Sequence, residues 1–123
     1  MAEQALIDSG KKIVDELRKD VPISFAVWYL DPTSQSTYLG IGSKKFDEIG
    51  PKESYKKILE VVASIKNGLT LFKEDYLKLI SLESDLGKTL SSSFSNKQGD
   101  TSIGMFVTPN LILHQVYAYG LGS

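Results

Sequence analysis

The last 23 residues, Thr101 to Ser123, contain no Asp, Glu, Lys or Arg; all 14 basic and 15 acidic residues lie upstream. Thr108-Pro109-Asn110 divides this tract into two apolar runs, 102–107 and 111–119, which read as a β-hairpin. Exposed edge strands are usually guarded by charge. The two strands are therefore expected to be central, covered, or part of an interface. Both parities of the final strand are apolar. Strict alternation puts Ile112, His114, Val116 and Ala118 on one face, and Leu111, Leu113, Tyr117 and Tyr119 on the other.

The upstream part must supply the elements that cover such a sheet. Residues 3–19 read as an amphipathic helix with Leu6, Gly10, Ile13 and Leu17 on one face, and Pro22 prevents its continuation. Gly10 in that inward stripe costs about 1 kcal/mol against alanine, which points to a close approach to the sheet. Residues 23–30 and 36–42 form strands of a hairpin, joined by the turn chemistry of Asp31-Pro32-Thr33-Ser34-Gln35. Gly40 and Gly42 mark a bulge or a close approach in the second strand. Residues 51–66 form a helix with Pro51 in its first turn and Tyr55, Ile58, Leu59, Val62 and Ile65 facing inward; Asn67-Gly68 closes it. Leu69–Phe72 reads as a short connection, and Tyr76–Leu82 alternates as a strand. Ser84-Asp85 caps a short helix carrying Leu86, Leu90 and Phe94, followed by a polar loop over 95–100. A length of 123 residues suits one domain, 1–123. The expectation is an α+β domain with a five-stranded, mainly antiparallel sheet, two main helices and one short helix packed mostly on one face.

Trp28-Tyr29-Leu30, Tyr38-Leu39, Ser43, Asp47-Glu48-Ile49-Gly50-Pro51, Tyr55 and the terminal Tyr117-Ala118-Tyr119 form a recognisable series. The series resembles a group of small uncharacterised bacterial proteins with a Trp-bearing hairpin and an Asp-x-x-Gly-Pro-x-x-x-Tyr helix start. The resemblance implies a bacterial origin and the same element order. It implies no activity and no catalytic residue.

The residue inventory excludes several chemistries. There is no cysteine, hence no disulfide, thiolate nucleophile or cysteine-held metal. A single histidine, His114, rules out a two-histidine metal site within one chain. Nothing calls for a cofactor. No apolar run approaches the roughly 18 to 20 residues that span a bilayer, and no leader precedes the first helix, so the expected location is the cytoplasm. Lysine pairs at 11–12, 44–45 and 56–57 each sit beside acids, and the pI near 5.8 argues against nucleic-acid binding.

Three sets of side chains remain as candidates. Gly40-Ile41-Gly42-Ser43-Lys44-Lys45 follows a strand as a phosphate loop would, but it lacks the Gly-x-x-x-x-Gly-Lys pattern and a helix directly after it. With Trp28 and Tyr38, residues Ser43 and Lys44 are the candidate ligand-binding set. His114, or the acids Asp47, Glu48 and Glu53, would carry any catalysis, yet no partner group is evident for either; the acids suit the positive end of a helix dipole. No catalytic residue is assigned. His114, Tyr117 and Tyr119 are the candidate interface. The leading expectation is a non-catalytic interaction or regulatory domain that forms a homodimer or binds a protein partner. A small-molecule module at the Trp28/Tyr38 hairpin is the alternative, and an enzyme is the second.

Overall fold

Both parities of the central strands are apolar, so both faces of the sheet need a cover, and that requirement shapes the fold. The computed structural model describes residues 4–65, 74–94, 98–109 and 111–121. Along the chain run α1 (Gln4–Leu17), β1 (Phe25–Leu30), β2 (Thr37–Gly42), α2 (Lys44–Ile49), α3 (Pro51–Ser64), a 3-10 turn (Glu74–Tyr76), β3 (Leu77–Leu79), α4 (Asp85–Phe94), β4 (Thr101–Thr108) and β5 (Leu111–Ala118). The strands form one open sheet in the order β3-β2-β1-β5-β4. The expected Asn67-Gly68 helix end, the Leu69–Phe72 connection, Asn110 and part of the polar loop lie outside the described residues.

The fold is α+β, as expected, with a mixed sheet. β1 pairs antiparallel with β2 and with β5, and β4 pairs antiparallel with β5. β3 runs parallel to β2, with Leu39 opposite Leu77 and Ile41 opposite Leu79. Parallel neighbours need a long crossover, and α2 and α3 lie between these two strands. The expected strand over Tyr76–Leu82 shrinks to Leu77–Leu79, because the 3-10 turn takes Tyr76.

α1, α2 and α3 pack on one face of the sheet, and the short α4 packs on the other. Ile7, Ile13, Val14 and Leu17 of α1, Phe46 of α2 and Ile58 of α3 pack on Trp28, Leu39, Ile41 and Tyr119. Across the sheet, Leu90 and Phe94 of α4 pack on Phe25, Val27, Tyr29, Leu113, Val116 and Ala118. Of the inward residues expected on α3, Ile58 is sealed, while Tyr55, Leu59, Val62 and Ile65 are half-buried against the same cluster. Gly42 lies in unbroken register with Phe25, and a Cβ there would meet the Phe25 ring.

Two local features were not anticipated. A helix starts at Lys44, seven residues before Pro51, and Gly50, at φ 86°, turns the chain from α2 into α3. Buried Ser54 fixes that corner by donating to the Phe46 and Gly50 carbonyls at 3.1 and 2.6 Å. The second feature is a bulge in β5. Gln115 has φ 51°, and the β1–β5 register shifts between Trp28 and Leu30. Leu113 and Val116, three residues apart, consequently face the same α4 cluster, as do Ile103 and Phe106 on β4. The alternation expected for β5 is thereby broken. His114 does not share a face with Val116 and Ala118, and Leu113 does not share one with Tyr117 and Tyr119.

Candidate functional site

The four candidate ligand residues are not brought together. Trp28 is fully buried, and its indole Nε1 donates to Tyr119 Oη at 2.7 Å. Its flank packs edge-on against Tyr76, with centroids 5.9 Å apart. Tyr38 is half-exposed on the opposite face, 5.9 Å from Tyr29, with Lys78 Nζ 5.2 Å above its ring. Ser43 is buried and donates to the Pro22 carbonyl at 2.7 Å, which ties β2 to the end of the α1–β1 connection. Lys44 is exposed at the start of α2. Trp28 and Ser43 are thus parts of the core, committed to partners in this chain.

The acids separate as well. Asp47 Oδ2 accepts the Leu82 amide at 2.9 Å, joining α2 to the segment after β3, whereas Glu48 and Glu53 are exposed. Among the described residues no group of three or more acidic or histidine side chains is placed to hold a metal. Beside Asp47 lies a cleft of about 390 Å³, lined chiefly by Ile41, Phe46, Pro51, Leu79 and Ile80.

The candidate interface residues divide. Tyr119 is buried; it accepts from Trp28 and donates to the Ile7 carbonyl at 2.5 Å, so it belongs to the α1 core and not to a free surface. Burial raises its pKa. Tyr117 is half-buried, lies edge-on to Tyr119 at 5.6 Å, and donates to Asp100 Oδ2 at 2.6 Å. That bond pushes its pKa up to about 12. Asp100 also accepts the Gly120 amide at 2.8 Å, which clamps the start of β4 against the end of β5. His114 is half-exposed opposite Met105.

Around His114 no helix among the described residues covers the sheet. Phe106 and Leu113 are opposite one another and serve the α4 core. The flanking cross-strand pairs, Met105–His114 and Val107–Ile112, therefore face the α1 side. Met105, Val107 and Ile112 are 53, 62 and 44% exposed, the large exposed apolar side chains among the described residues. Met105 and Val107 were missed from sequence. The charge-free tract singled out this hairpin, but alternation alone could not say which of its apolar residues the bulge turns outward.

No helix among the described residues is long and apolar enough to cross a membrane. Comparison with family models, curated proteins and solved structures gave no match.

Proposed function

We propose that the chain is a small non-catalytic interaction domain that self-associates through the outer half of its C-terminal hairpin. One observation carries the reading: three large apolar side chains, Met105, Val107 and Ile112, stand exposed on one face of a segment without formal charge. Such a patch marks a surface that meets another protein. Half-exposed His114 beside Met105 supplies a polar group at its margin. Homodimerisation is the form of association that the reading favours, in the cytoplasm.

Sedimentation or light scattering from 1 to 100 µM tests it. Wild type should reach twice the 13.6 kDa chain mass. Val107→Lys, at the most exposed position of the three, should return the monomer while leaving thermal stability nearly unchanged. Wild type that stays monomeric throughout would remove the reading.

A further inference from the structure

The two edges of the sheet differ. β3 has three residues with exposed Lys78 at its centre, the usual guard against edge pairing. β4 has eight residues, Thr101–Thr108, with no charge and no proline. Its inner side pairs with β5, and among the described residues no strand lies beyond its outer side. Ser102, Gly104, Met105 and Val107 are exposed along it.

We propose that β4 pairs antiparallel with β4 of a second copy about a two-fold axis normal to the sheet, giving one continuous ten-stranded sheet. This rests on the self-association reading above and specifies its geometry. Three features select a second copy as the occupant. First, the strand has no charge to set against itself, so an identical strand meets no like-charge opposition. A charged peptide would gain no complementary partner along it. Second, a two-fold normal to the sheet keeps each face on its own side. Met105 and Val107 of both copies then join with Ile112 of both copies into one apolar strip across the junction. Third, the assembly closes at two, because both outer edges are the short, Lys78-bearing β3. With one residue opposite its own copy on the axis, up to seven of the eight residues pair, and at about 3.4 Å each they make a junction about 24 Å long.

The absence of cysteine makes a cross-linking test direct. Single cysteines are placed in turn from Ser102 to Val107 on β4, and at Ile112 on β5, and the proteins are oxidised at 100 µM. Opposed residues of an antiparallel pair have Cα atoms about 4.5–5.5 Å apart, within disulfide reach. The Ile112 positions would be at least three strand spacings apart, about 14 Å or more, which is out of reach. Disulfide dimer should form fastest at one β4 position, fall away on either side of it, and exceed Ile112→Cys at least tenfold. A dimeric mass with rapid cross-linking at Ile112→Cys and none along β4 would mean face-to-face packing; the edge pairing would fall and self-association would stand. A dimeric mass with no cross-link at any of these positions would also overturn the edge pairing. A monomeric wild type at 100 µM would overturn both.

Discussion

Adding one methyl group at position 10 tests the α1 core directly. Gly10 is buried in the middle of α1, where alanine would favour the helix by about 1 kcal/mol. A Cβ there would stand 2.3 Å from Tyr119 Oη and 2.8 Å from Trp28 Nε1. Tyr119 cannot swing aside freely, because its hydroxyl is held between the Trp28 indole and the Ile7 carbonyl. Either the helix lifts, at about 1–3 kcal/mol for overpacking, or the hydroxyl moves and leaves buried polar groups unpaired, at about 1–3 kcal/mol. Either cost meets or exceeds the helix gain, so Gly10→Ala should be less stable than wild type by up to about 2 kcal/mol. Gly10→Leu should lose more. Urea unfolding followed by the fluorescence of the single tryptophan reads the difference. Tyr119→Phe removes the atom that the new methyl strikes first, so Gly10→Ala should cost less in that background. Gly10→Ala as stable as wild type, or an equal cost in both backgrounds, would refute the reasoning.

Two further outcomes follow from the cores. Tyr117 keeps its proton to about pH 12 through its bond to Asp100, and Tyr29 and Tyr119 are raised chiefly by burial, whereas an unfolded tyrosine titrates near 10. Their stabilisation is complete below about pH 10 and is lost as pH rises through the folded values. Phenolate absorbance at 295 nm from these three should therefore appear together with loss of circular dichroism; full titration of all six tyrosines near pH 10 with the fold intact would contradict this. Ile58→Asp should unfold the domain, because an unpaired buried carboxylate costs several kcal/mol against a total of about 5–15. Val62→Asp, at a half-buried site, should leave a cooperative transition, and the reverse order in far-UV circular dichroism would show the α3 packing to be misassigned.

Period and turn chemistry made much of the fold legible in the sequence. The α1 stripe, the Trp-bearing hairpin, Pro51 and the Ser84 cap, whose Oγ accepts the Gly87 amide at 3.0 Å, all express local preferences. Three features escaped. The six residues of α2 carry too little periodicity to stand out, and their corner depends on Ser54 and on the left-handed Gly50. The direction of β3 depends on the crossover and not on its three residues. The bulge at Gln115 puts a residue with no turn signature at positive φ. That single irregularity accounts for the misplaced faces of His114, Tyr117 and Tyr119. The candidate surface was therefore legible as a segment and illegible as a set of side chains.

The Tyr119 hydroxyl bonds to groups 91 and 112 residues away in sequence, and β1 sits in mid-sheet between β2 and β5. During vectorial synthesis, the inward stripe of α1 and the indole of Trp28 must wait for β5 and Tyr119 before they are enclosed. Early helices and the first hairpin can form locally, but neither core closes until β5 inserts beside β1. Such a high contact order slows folding and prolongs exposure of apolar surface on the growing chain. Premature termination a few residues before Tyr119 would then leave a product unable to complete its α1 core.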